Sequence, residues 1–222
     1  MNNWLYSSFV PTDPWRGQMS FPIDFFLMQY NEKYYLGSKP NSLALESAFS
    51  GLTFDYQKSE RELSQEDLNH SMQDFVEETN GLLYIKAIVE MKEPVDFGFL
   101  VKSDYQGEFT DIGVNADNCI WVDRSESGRI ITDIFSELNS LPTDYIVGSE
   151  EETILELLID KSSVEVFFFD GMYSMTNIIF PEEESLGLTL WSNDFSKLSV
   201  KQLQIFELKK TMGSDSLKEV TH

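Results

Sequence analysis

The stretch Asp160-Lys161-Ser162-Ser163-Val164-Glu165-Val166-Phe167-Phe168-Phe169-Asp170-Gly171, running on to Met175-Thr176 and Phe180-Pro181, decides the fold. It predicts a strand, a tight turn and a returning strand, because Asp-Gly accepts the positive φ angles of a type I′ hairpin. Val164, Val166 and Phe168 share one face of that strand, which is expected to enter a core. Further strand candidates lie on both sides of it: Leu82–Met91, Phe97–Val101, Asp111–Val114, Cys119–Val122, Arg129–Phe135, Ile154–Ile159, Leu186–Trp191 and Leu198–Leu208. Many short strands separated by turns, without alternating helices, imply an all-β antiparallel sandwich, jelly-roll or concanavalin-like in form.

Details of the pattern are informative. In Leu82–Met91 one face reads Leu83, Ile85, Ala87, Val89 and Met91, while the other mixes apolar and charged residues, as a half-buried antiparallel strand does. In the last strand Leu198 and Val200 have one parity and Leu203 and Ile205 the other, so a bulge near Gln202 is expected. Phe25–Met28 and Tyr34–Leu36 read as a hairpin around Asn31-Glu32-Lys33. One helix is expected over residues 63–81. Ser64 and Asp67 suit its N-terminal cap, Leu63 and Leu68 form a staple, and Leu68, Met72, Phe75 and Val76 make a stripe facing the body of the domain. Asn69-His70-Ser71 in that helix is formally a glycosylation sequon whose use the helix disfavours.

Composition narrows the function. The 222 residues carry 38 Asp+Glu against 16 Lys+Arg, a formal net charge of -22. That balance repels phosphate backbones and anionic lipid, so neither nucleic acid nor membrane is an expected partner. The single cysteine, Cys119, forbids an internal disulfide, and two histidines, His70 and His222, leave little for a metal site or a His-based triad. No metal and no cofactor is expected. No run is long and apolar enough to span a bilayer, and Met1-Asn2-Asn3-Trp4 lacks the regions of a signal peptide. If Met1 is the authentic start, the cytoplasm is the expected compartment.

The hairpin at 160–171 resembles the signature hairpin of the C-terminal β-sandwich in family 32 glycoside hydrolases, the invertases, levanases and inulinases. Asp123-Arg124-Ser125-Glu126-Ser127-Gly128 and Leu186-Gly187-Leu188 match further elements of that family in order. Trp15-Arg16-Gly17-Gln18-Met19-Ser20-Phe21-Pro22 is similar to the segment that closes the family's catalytic β-propeller, although Ile23-Asp24 stands where the family usually has Arg-Glu. The resemblance implies that residues 1–22 are a remnant of the last propeller blade and that 23–210 are the sandwich; the polar residues 211–222 are expected to form a disordered tail. The helix reads as an elaboration.

Retaining glycoside hydrolysis needs two carboxyl groups about 5 Å apart. Asp160 and Asp170 bracket an extended strand and, at about 3.3 Å per residue, lie roughly 30 Å apart. The family's Asn-Asp-Pro, Arg-Asp-Pro and Glu-Cys motifs do not occur in these residues, and Glu165 and Asp24 have no motif support. No catalytic residue is therefore assigned, and the chain alone is expected to be inactive. Three roles stay open. It is a structural module packing on a propeller; or it binds fructan or another carbohydrate; or it complements a separately encoded propeller, or dimerises, through residues 1–22. Trp4 is a vestigial substrate-binding candidate, Trp121 and Trp191 are glycan-stacking candidates with the core as their alternative place, and Trp4, Tyr6, Phe9 and Trp15 make the expected apolar docking patch.

Overall fold

The computed structural model describes residues 6–12, 18–136 and 139–210. Its order is β1 Ile23–Tyr30, β2 Lys33–Pro40, α1 Ser42–Ala48, β3 Phe49–Gln57, α2 Gln65–Glu77, β4 Leu83–Met91, β5 Phe97–Ser103, β6 Thr110–Val114, β7 Cys119–Asp123, β8 Asn139–Pro142, β9 Glu152–Ile159, β10 Ser163–Phe168, β11 Tyr173–Ile178, β12 Gly187–Ser192 and β13 Leu198–Leu208. Two antiparallel sheets face each other. One has six strands in the order β11-β10-β9-β4-β13-β3, the other five in the order β12-β5-β6-β7-β8. This is the expected β-sandwich.

The core lies between the sheets. Ile85, Ala87, Val89, Leu155, Leu157, Val164, Val166, Phe168, Leu203 and Ile205 come from the six-stranded sheet, and Phe97, Phe99, Val101, Ile112, Val114, Ile120, Val122, Leu188 and Leu190 from the other. Alternation along each strand sends these residues to one side, as the period of two requires. In β13 the registers are continuous on either side of a shift between Val200 and Gln202. Lys201 is the extra residue, and it returns Leu203 and Ile205 to the face that Leu198 and Val200 begin.

At the end of β10, Asp170 and Gly171 have φ of 58° and 84° and the Met172 amide donates to the Phe169 carbonyl, as a type I′ pair does. Phe169 is itself left-handed, at φ 53°, so strand pairing stops one residue earlier, at Phe168 opposite Tyr173.

Helix α2 is the expected helix, shortened at its end: Ser64 Oγ accepts the Asp67 amide, and the C-cap falls at Glu78, before Gly81. Its Leu68, Met72 and Val76 join the main core, and Phe75 meets Phe54 of β3 with ring centroids 5.9 Å apart. The helix closes the side where β3 and β12 are both edge strands. Asn69 donates to the Leu190 carbonyl and accepts its amide, each at 2.9 Å, and Gln73 accepts the Leu188 amide. The backbone groups of an edge strand are thereby paired. Asn69 is consumed by this contact, which accounts physically for a sequon that the fold does not present.

Several elements differ from the sequence reading. Residues 129–135 are not a strand. They turn, with the Phe135 amide donating to the Thr132 carbonyl, and this drives Phe135 into a cluster with Tyr6, Val10 and Ile178. Helix α1 and strands β3 and β8 carry no clear pattern: Leu45 is the single buried residue of α1, β3 is mostly exposed, and all four residues of β8 are exposed. The β1–β2 hairpin turns at Asn31 and Glu32, both left-handed, and pairs with neither sandwich sheet.

Candidate functional site

The most organised polar region is the joint between the N-terminal segments and the six-stranded sheet. Strand β10 is buried along its whole length, on both faces. Its inner face enters the core. Its outer face carries Phe167, which packs with Leu45, Tyr84 and Leu158 beneath Phe21, Ile23 and Phe49. Glu165 lies on that covered face, 5% exposed, and its Oε1 accepts the Phe21 amide at 2.7 Å. Burial pushes the Glu165 carboxyl up, the Phe21 amide pulls against that, and the charge of Asp160 adds to the rise. Ser162 Oγ accepts from the Gln18 side-chain amide. Gly171 approaches β2 so closely that a Cβ would sit 2.2 Å from the Ser38 carbonyl oxygen, and its own carbonyl accepts the Ser38 amide at 2.9 Å. Glycine is required there twice, for the positive φ and for the approach.

The turn after β7 does a related job. Arg124 is buried; its Nη1 donates to the Ile178 carbonyl at 3.0 Å, its Nη2 reaches Tyr6 Oη at 3.4 Å, and its guanidinium lies 4.2 Å from the centroid of the Phe135 ring. A cation stacked on aromatic rings and bound to a carbonyl is a favourable way to bury it. Asp24, on the departure from the family pattern, accepts both contacts of the Asn41 amide, and Asn41 Oδ1 caps α1 through the Ala44 amide. Residues of the 160–171 and 123–128 stretches thus hold Tyr6, Gln18, Phe21 and Ser38 onto the sandwich.

A cavity of about 370 Å³ opens at this joint, lined in part by Met19, Phe21, Asp160, Ser163, Glu165 and Lys209. Its two acids are engaged locally, Glu165 with the Phe21 amide and Asp160 with the Lys161 amide. Asp160 and Asp170 stand beyond opposite ends of β10, as extended geometry requires. Among the described residues no group of three or more His, Cys, Asp or Glu side chains could hold a metal.

The other nominated residues separate. Trp4 and Trp15 lie outside the described residues, as does the tail 211–222. Tyr6 is buried, which removes it from the expected docking patch, whereas Phe9 is 59% exposed. An exposed apolar patch lies elsewhere: Phe25, Leu27, Tyr34 and Leu36 share the outer face of the β1–β2 hairpin at 65, 71, 68 and 69% exposure. Trp121 and Trp191 are half-buried and belong to none of the buried clusters. They meet on the outer face of the five-stranded sheet, ring centroids 6.0 Å apart, and each donates its indole N–H to one oxygen of Asp111 at 2.9 Å. Burial pushes the Asp111 carboxyl up, opposed by these two bonds.

The family model for the C-terminal part of family 32 glycosyl hydrolases matches residues 51–207, which span β3 to β13. The chain belongs to glycoside hydrolase family 32. A levanase of Bacillus subtilis (strain 168) is 31% identical over 222 residues, covering 96% of this chain and 30% of the levanase. An extracellular exo-inulinase of Aspergillus niger is 28% identical over 200 residues, covering 86% of this chain and 35% of that enzyme. Among solved structures, exo-inulinase from Aspergillus awamori superposes with a TM-score of 0.72 at 22% identity, covering 96% of this chain and 40% of the other. This family 32 chain spans about a third of the length of the curated relatives it matches.

Proposed function

We propose that the chain is a non-catalytic β-sandwich module of a family 32 β-fructosidase, and that it packs against and supports the family's catalytic propeller. The observation that carries this reading is the outer face of the β1–β2 hairpin. Four large apolar side chains, Phe25, Leu27, Tyr34 and Leu36, are each at least 65% exposed on one face, while Met28, Tyr30 and Tyr35 on the opposite face pack on the sandwich. A two-sided apolar ribbon, one side docked and one side bare, fits a second protein surface better than water. The inner side is anchored specifically: Tyr35 Oη donates to Asp144 at 2.7 Å, Tyr30 Oη accepts the Ile146 amide at 3.0 Å, and the Tyr30 and Tyr145 rings stack. The partner's recognition surface is therefore held rigidly.

The test has two arms. Incubated with sucrose, inulin or levan, the purified chain releases no fructose; measurable turnover overturns the non-catalytic assignment. Mixed with a separately expressed propeller of a family 32 levanase, it forms a complex on size exclusion that Leu27→Lys/Leu36→Lys abolishes. A homodimer disrupted by the same pair, with no propeller complex, replaces the proposed partner with a second copy.

A further inference from the structure

One register row on the outer face of the five-stranded sheet reads Trp191, Gly98, Gly113, Trp121 across β12, β5, β6 and β7. Neighbouring strands lie about 4.8 Å apart, so the two tryptophan backbones are separated by roughly 14 Å. Their ring centroids are 6.0 Å apart. Both side chains therefore lean toward each other over the two glycines. The lean needs Gly113: a Cβ there would sit 2.2 Å from Cζ2 of the Trp121 ring. Glycine inside a strand weakens it and commonly marks close approach by another group. The next row reads Thr189, Leu100, Asp111, Asp123, and Asp111 takes both indole N–H groups from there.

We infer that this row is a stacking site for a neutral oligosaccharide, the fructan chain being the class that the family points to. Indole rings offer a broad apolar surface to the C–H faces of sugar rings. The rings are fixed in advance by hydrogen bonds to one carboxylate, so little side-chain freedom is lost on binding. Asp123 and Thr189 border the rings with groups that accept from, or exchange hydrogen bonds with, hydroxyls. The carboxylates and the net charge of -22 select against anionic polymers. The site lies on the outer face of the five-stranded sheet, whereas Phe21 and Ile23 cover the outer face of the six-stranded one.

The test is a titration of the intact chain with levan-type and inulin-type fructo-oligosaccharides, read by calorimetry and by the indole N–H resonances of the uniformly ¹⁵N-labelled protein. Single Trp→Phe variants assign those resonances. Saturable binding that moves the Trp121 and Trp191 signals and leaves those of Trp4 and Trp15 in place is the expected result. Trp191→Ala should weaken binding about tenfold, the loss of one stacked ring, and Trp191→Phe should restore part of it. No heat at millimolar sugar, or binding that leaves both signals unmoved, overturns the inference. So does a Trp191→Ala variant that melts earlier yet binds as the parent does, since the pair then only braces the sheet. The wild-type resonances decide the matter even if Trp191→Ala fails to fold.

Discussion

At the scale of single residues, Glu165 best shows how a motif becomes a joint. Its partner, the Phe21 amide, is 144 residues away in sequence, so no local reading of Ser163-Val164-Glu165-Val166 could assign the carboxylate its role. The folded-state pKa is raised, chiefly by burial, above its unfolded value. The folded state therefore prefers the protonated acid. The stability this contributes is present at low pH and is lost as pH rises through the unfolded value to the raised folded one. Glu165→Gln keeps an acceptor for Phe21 and removes the charge. Thermal melts of parent and variant should then differ most at neutral pH, with the Gln protein the more stable, and should converge as the pH is lowered. Glu165→Ala should instead destabilise by about 1–3 kcal/mol at low pH, because the Phe21 amide stays in place without its acceptor, and by less at neutral pH, where it also removes the buried charge. A Gln variant that melts below the parent at neutral pH would mean that the charged bond to Phe21 outweighs the cost of burial.

At the scale of elements, helix α2 stands on two kinds of information. Its cap and its apolar stripe were legible from spacing, because Ser64 and Asp67 are local and Leu68, Met72 and Val76 recur at helical intervals. Its second task was not. Asn69 and Gln73 occupy the neighbouring face, one turn apart, and reach β12 about 120 residues away. Replacing Asn69 by Ala leaves the Leu190 N–H and C=O without their partner. That should cost about 2 kcal/mol in chemical denaturation, whereas Asp74→Ala, an exposed position on the same helix, should cost well under 1 kcal/mol. Equal effects would show that Asn69 acts through helix propensity alone. Most strands were legible for the same local reason, the bulge at Lys201 included, since parity within eleven residues reports a change of face. Arg129–Phe135 misled because its apolar residues alternate as in a strand while long-range contacts of Phe135 with Tyr6 and Arg124 pay better than pairing. The tryptophan pair was half legible: the residues were evident, but the lean of Trp121 depends on Gly113, which only sheet register brings alongside it.

At the scale of the whole molecule, the middle of the six-stranded sheet is covered on both faces, with the sandwich core on one side and Phe21, Ile23 and Leu45 of the N-terminal part on the other. Tyr84, Leu158 and Phe167 face that second side, each 5% exposed or less, beneath Phe21 and Ile23. Tyr6 and Val10 cover Phe135 and Ile178 in the same manner at the edge. Residues 18–23 thus pack on the sandwich, and the two should unfold together. A chain beginning at Asn41 keeps every strand of both sheets but uncovers these rings. Each large apolar side chain returned to water costs about 1.5–3 kcal/mol, and 1 kcal/mol moves the Tm of a domain this size by about 2–4 °C. The shortened chain should therefore melt on the order of 10 °C lower, bind a hydrophobic dye in its native state, and aggregate despite its negative charge. Deleting the β1–β2 hairpin alone, with residues 22 and 41 rejoined by a short linker, removes the bare outer face while leaving Phe21 in place. That variant should melt closer to the parent and stay soluble. If instead the chain from Asn41 melted at the parent temperature without binding dye, the cover would be a loosely attached remnant. The contacts of Glu165, Ser162 and Arg124 with the N-terminal segment would then contribute nothing to holding the sandwich together.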